Sequence, residues 1–124
     1  MTPYADATFY TDTFEGTTIP NDVLEQRLRD ASFDVDSMTY NRITRRGFDN
    51  LTDFQQERVK MVVCMHADFT YTYGEMLDSP LAGYGAGSTS VSFDRTKVSG
   101  QNGIATPIRA LELLKQTGLT VRIL

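Results

Sequence analysis

Three groups of residues in this 124-residue chain have the types and spacing that can do chemistry. The first is the run Gly83 to Phe93, GYGAGSTSVSF, in which alternate glycines precede a series of hydroxyls. That composition suits a loop that cradles phosphate with backbone N–H groups, but such a loop follows a buried strand and opens directly into a helix. Here the glycines follow MLDSPLA, which reads as a helix end and a proline turn, and lead into a polar, alternating run. No lysine follows them in the GKS or GKT manner. The run therefore reads as an arm that lies against something else, and a phosphate-binding enzyme is the least favoured class.

The second group is Cys64 and His66. Residues two apart on a helix point about 200° apart, so one helix does not aim both at one ion. The chain has one histidine and one cysteine, and a zinc site would have to draw its remaining ligands from carboxylates. They read as an inert core cysteine and a hydrogen-bonded, partly buried histidine, with no cofactor or metal expected. A Ser-His-Asp arrangement has no GxSxG turn to support it.

The third group is charged. Asp34 with Asp36, and Asp49 with Asp53, have the types for general acid-base work, although acids in an amphipathic chain mostly form a solvated face. Arg42, Arg45 and Arg46 form a basic cluster. It suits phosphate or an acidic partner surface, and equally the negative end of the helix that precedes it.

These residues must be carried by one domain, since the length is ordinary for one and 40% hydrophobic residues suffice for a core without metals or disulfides. The formal charge of -4 argues against a protein whose main work is gripping nucleic-acid backbone. A single cysteine forms no internal disulfide, and MTPYADATFY has neither the basic start nor the apolar stretch of a signal peptide. The longest strongly apolar run, Met61 to Met65, is far short of the roughly 20 residues that span a bilayer. The expected compartment is a cytoplasm, with no membrane partner.

Periodicity supplies the elements. Ala7, Tyr10 and Phe14 suggest a short helix stopped at Gly16. Asn21 is placed to cap an amphipathic helix whose apolar positions are Leu24, Leu28, Ala31, Val35 and Met38, ending near Arg42. Thr44 to Asn50 reads as a helix end and a turn. Thr52 and Gln55 have the spacing of a capping box. Phe54, Val59, Val62, Val63, His66, Phe69, Thr70 and Tyr73 then mark a long helix to about Gly74, with Met65 and Ala67 widening its apolar surface, so that it is expected at the centre of the fold. Helical periodicity stops from Asp78 to Gly103. Within that stretch Ser90 to Asp94 alternates like a strand, with Val91 and Phe93 on one face, and Arg95 to Val98 is its expected return partner. Thr106 and Pro107 read as cap and first turn of a last helix through Ile108, Leu111 and Leu114 to Gly118. Leu119, Val121 and Ile123 alternate as an extended tail. The expected fold class is a mainly α, small helical bundle, with a Gly/Ser-rich arm at 78–103 carrying a short strand or hairpin, and an extended tail at 119–124. Extended apolar pieces without internal partners recruit other chains.

The order of the segments carries a resemblance. PYADATFYTDTFEGTTIPNDVLEQRLRDASFDVDSMTYNRI, then LTDFQQERVKMVVCMHADFTY, LDSPLAGYGAGSTSVSF and IATPIRALELLKQTGLTVRIL together resemble the head-tail connector, or adaptor, proteins of tailed bacteriophages over nearly the whole chain. The resemblance implies a structural protein of the virion neck, made in the host bacterial cytoplasm, and no enzyme. It would form a homo-oligomeric ring, dodecameric by family resemblance, beneath the portal protein. The ring would extend the DNA channel, let DNA pass without sequence-specific binding, and dock the next neck or tail-completion protein. The resemblance places intersubunit or portal contacts on the arm, whose apolar residues are Leu81, Tyr84, Val91, Phe93 and Val98, and on the tail, with Leu119, Val121 and Ile123. Arg42, Arg45 and Arg46 are candidate partner contacts. The competing expectation is a small helical regulatory or DNA-binding domain acting as a dimer.

Overall fold

A computed structural model of the chain describes residues 2–78 and 98–121. They form a small, mainly helical bundle with a short antiparallel hairpin. The elements are a π-helical turn at Phe9–Thr13, α1 (Asn21–Met38), a short α2 (Arg42–Arg46), a 3-10 turn at Phe48–Asn50, α3 (Asp53–Asp78), β1 (Val98–Gln101), β2 (Ile104–Pro107) and α4 (Ile108–Gln116).

The predicted apolar stripe of α1 is the buried one: Leu24, Leu28, Ala31, Val35 and Met38 are each at most 1% exposed. It packs on α3, whose residues Val59, Val62, Val63, Cys64 and Ala67 are all fully buried. Buried positions so close in sequence cover more than one helix face, because α3 meets α1 on one side and α4, through Ala110 and Leu114, on another. The central position expected of this helix is what the structure shows. Phe54 and Tyr73, counted with its apolar stripe, are instead 47% and 39% exposed. Phe54 lies in the first turn, where the Arg58 guanidinium covers it at 4.6 Å from the ring centroid.

The helix ends follow local chemistry. Thr52 and Gln55 close the capping box in both directions: Gln55 N–H donates to Thr52 Oγ1 at 3.1 Å, and Thr52 N–H to Gln55 Oε1 at 3.0 Å. Asn21 does not cap α1. It is the first helical residue, the cap position belongs to Pro20, and Val23 N–H reaches the Pro20 carbonyl. The helix also stops at Met38, short of Arg42, by a turn in which Asn41 N–H bonds the Asp36 carbonyl and Tyr40 N–H that of Ser37. This is the Schellman pattern, and it places Tyr40 (φ 57°) and Asn41 (φ 59°) in the left-handed region where glycine is usual.

The hairpin lies later in the chain than the alternation of Ser90 to Asp94 suggests, and that stretch is outside the described residues. Val98 pairs with Pro107 and Gln101 with Ile104, around a two-residue turn at Asn102 (φ 52°) and Gly103 (φ 82°). Two consecutive positive φ values define the turn type that matches strand twist, and Asn-Gly is its preferred pair. The turn is docked: Asn102 Nδ2 donates to the Ser37 carbonyl at 2.7 Å, at the C-terminal end of α1.

Residues 117–120 turn back into the body of the protein. Gly118 (φ 76°) allows the reversal, and Leu119 ends 1% exposed in the core. No helix among the described residues is long and apolar enough to cross a membrane.

Candidate functional site: a buried hydroxyl–imidazole–carboxylate chain beside a polar groove

His66 lies in the middle of α3 and is fully buried. Its Nε2 is 2.7 Å from Asp34 Oδ2 on α1, and its Nδ1 is 3.0 Å from Thr106 Oγ1 on β2. A carboxylate oxygen accepts, so Nε2–H donates to it. With the ring neutral, Nδ1 accepts from the threonine hydroxyl. Residues 32 and 40 positions away thus meet one imidazole, and three elements are joined through it.

Hydroxyl, imidazole and carboxylate in that order are the groups of a nucleophilic triad. Their burial gives them a different use. The Thr106 hydroxyl, which would be the nucleophile, is 0% exposed within β2, whereas the Asp34 side chain at the other end is 41% exposed. What this chain can do is fix β2 against α1 and α3, and hold the Asp34 carboxylate in place. Thr106 makes no helix cap on α4, because it belongs to β2 and the cap position falls to Pro107.

Asp34 opens on a groove of about 470 Å³. One wall is the α1 stripe Arg27, Asp30 and Asp34; the other is the α3 stripe His66, Thr70 and Gly74; the hairpin turn from Gly103 to Ala105 closes one end. Asp34 and Asp36 do not act as a pair. Asp36 is 6% exposed and takes a hydrogen bond of 2.6 Å from the Tyr4 hydroxyl, with the Tyr4 backbone N–H donating to Ser32 Oγ. A second tyrosine does the same on α3, where Tyr10 OH donates to Asp68 Oδ1 at 2.5 Å. Burial pushes both phenols up to about 12, helped by these carboxylates, and burial also raises Asp68 above the ordinary carboxylate value. Cys64 is likewise pushed up to about 12, chiefly by burial and then by Asp68 and Asp6, so its nucleophilic thiolate is suppressed.

The three arginines singled out in the sequence come close in space but do different things. Arg42 Nη1 donates to the Leu119 carbonyl at 2.8 Å, and its guanidinium lies 5.0 Å from the Tyr40 ring centroid. Arg45 Nη2 donates to the Tyr40 carbonyl at 2.8 Å. Arg45 thus bonds the left-handed break after α1, and Arg42 packs on the same tyrosine while tying it to the C-terminal turn. Arg46 is exposed.

Of the arm residues, Val98 starts β1, while Leu81, Tyr84, Val91 and Phe93 lie outside the described residues, as does Ile123 of the tail. Leu119 is a core residue of its own chain and not an available contact, because the turn at Gly118 folds it inward. Val121 is 59% exposed. The His66 joint, the two tyrosine–aspartate joints and the groove are not legible in the sequence. They pair residues tens of positions apart, and the available signal was only that Tyr4, Tyr10 and His66 are polar residues at apolar-phase positions. Comparisons with protein-family models, curated proteins and solved structures returned no match to this chain.

Proposed function

We propose that the chain is a structural assembly protein, a head-tail connector that forms a homo-oligomeric ring on the portal protein at the capsid vertex, joins head to tail and extends the DNA channel. The observation that carries the reading is the ordered set of resembling segments along nearly the whole chain. The mainly helical bundle supports it: three of the four segments fall on α1, on α3, and on β2 with α4, and the fourth lies almost wholly outside the described residues. The buried polar groups also support it, because Asp36, His66 and Thr106 spend their hydrogen bonds on joints between elements. A ring made by heterologous contacts uses two different patches on each subunit, and the Gly/Ser-rich arm read from the sequence at 78–103 is the candidate for one of them.

A DNA-binding dimer draws its support from the arginine cluster. Arg42 and Arg45 already donate to carbonyls of their own chain, which leaves Arg46 to carry that reading.

The test is mass measurement with particle imaging of the purified protein, alone and mixed with its cognate portal. A ring seated on the portal is expected. Removing residues 83–95, which leaves β1 intact, should keep the helical fold and abolish the ring. A protein that stays monomeric and never joins the portal rejects the reading, and salt-dependent binding to duplex DNA by a dimer would replace it.

A further inference from the structure

We propose that Asn102 is a deamidation site, and that its conversion to an acid releases the β1–β2 hairpin from the end of α1 without return. The inference is independent of ring assembly. Of the four asparagines in the chain, Asn102 alone is followed by glycine; Asn21, Asn41 and Asn50 precede Asp22, Arg42 and Leu51, whose side chains crowd the nitrogen that would attack. Asn102 is exposed at the tip of the hairpin. The ladder closes at Gln101 and Ile104, so the Gly103 nitrogen lies outside the strand pairing, and a Cβ added at Gly103 meets nothing within 4 Å. The approach to that nitrogen is therefore open.

In the reaction the Gly103 nitrogen bonds the Asn102 side-chain carbonyl carbon and closes a cyclic imide. The proton of that nitrogen leaves with the carboxamide nitrogen as ammonia. Water then opens the imide at either carbonyl, to aspartate or to isoaspartate, so an amide and water become an acid and ammonia with no oxidant or reductant. The docked turn restrains the first step, because Asn102 Nδ2, the leaving nitrogen, donates to the Ser37 carbonyl at 2.7 Å and Gln101 Nε2 reaches that of Met38 at 3.4 Å. The carboxamide has to leave α1 before it turns on its own backbone, so conversion follows undocking. Conversion also bars the return. The product has an oxygen where Nδ2 donated, and its carboxylate meets the negative pole at the C-terminal end of α1. Isoaspartate in addition lengthens the main chain of a two-residue turn whose φ values, 52° and 82°, suit asparagine and glycine.

The full chain is incubated in mildly alkaline buffer, folded and unfolded in guanidinium chloride, and the peptides carrying its asparagines are followed by mass spectrometry, with enzymatic isoaspartate methylation to separate the two products. In the folded chain Asn102 is expected to convert ahead of Asn21, Asn41 and Asn50. On unfolding, its rate is expected to rise about fivefold or more as the bond to Ser37 is lost. Amide exchange at Thr39, Tyr40 and Asn41 should quicken by a similar factor in the deamidated chain, and in Asn102→Asp, which carries the aspartate product without the incubation. The proposal is overturned if Asn102 converts no faster than the other three asparagines in the folded chain, if unfolding does not speed its conversion, or if the deamidated chain and Asn102→Asp both exchange like the unmodified chain at the end of α1.

Discussion

The Tyr10 hydroxyl, on the π-helical turn near the N-terminus, donates to Asp68 Oδ1 in the middle of α3 at 2.5 Å and also accepts the Ile19 backbone N–H at 3.2 Å. One phenol thus ties both ends of the segment preceding α1 to the central helix. Gly16 makes this approach feasible, since a Cβ there would lie 2.3 Å from the Tyr10 Cζ. Tyr4 repeats the arrangement on α1 through Asp36.

These joints set a pH dependence. Tyr10 and Tyr4 are raised from 10.0 to about 12, so the folded chain holds these protons more tightly than the unfolded one. Their contribution is complete below pH 10 and is lost as pH rises through 12. Asp68 is raised from 3.8; its contribution is fully present below 3.8 and is lost as pH rises through the folded value. Urea midpoints measured across pH should therefore fall steeply above pH 10, and the Tyr4→Phe, Tyr10→Phe double variant should flatten that limb. Asp68→Asn should remove the part of the decline that accompanies Asp68 deprotonation as pH rises above 3.8. Near neutral pH, Tyr10→Phe should cost about 1–3 kcal/mol, because the Ile19 N–H and Asp68 lose a buried partner. An alkaline limb unchanged in the double variant would show that the joints do not set it.

The His66 joint predicts an asymmetry between its two ends. Thr106→Val keeps the volume but leaves Nδ1 of a fully buried ring without a partner, which should cost about 1–3 kcal/mol in denaturant unfolding. Asp34→Asn retains a carbonyl oxygen for Nε2–H at a side chain that is 41% exposed, and should cost less than about 1 kcal/mol. Equal losses would mean that the imidazole is not held chiefly from the β2 side. Thr106→Ser, which keeps the hydroxyl, should recover most of the difference.

The sequence carries the helices more clearly than the joints for a physical reason. The α1 stripe and the Thr52–Gln55 capping box are written within one or two helical turns, so spacing alone identifies them. The π-helical turn appears as the weak pattern of Ala7, Tyr10 and Phe14 because only Tyr10 of the turn is buried. Thr106-Pro107 has a local reading as cap and first turn, but strand pairing with β1 runs through Pro107 and the helix starts one residue later, at Ile108. Asp36 looks like a solvated acid on an amphipathic helix, and only folding brings Tyr4 from 32 positions away. The groove is less legible still, since it joins stripes of two helices to a turn.

The hairpin does have a local signal in the sequence. Asn102-Gly103 sits between Gln101 and Ile104, at the turn that joins β1 to β2. Both turn residues have positive φ, which asparagine and glycine tolerate and a β-branched residue does not. Gly103→Val should therefore destabilise the fold by about 1–2 kcal/mol, although a Cβ at Gly103 meets nothing within 4 Å. The loss would come from the backbone and not from crowding. Because Asn102 Nδ2 holds the Ser37 carbonyl and Gln101 Nε2 reaches that of Met38 at 3.4 Å, the effect should spread to the end of α1. Amide hydrogen exchange should then quicken at Thr39, Tyr40 and Asn41 as well as in β1 and β2, while the first turns of α1 keep their protection. Faster exchange confined to the strands would show that the hairpin folds against the bundle without securing the helix end.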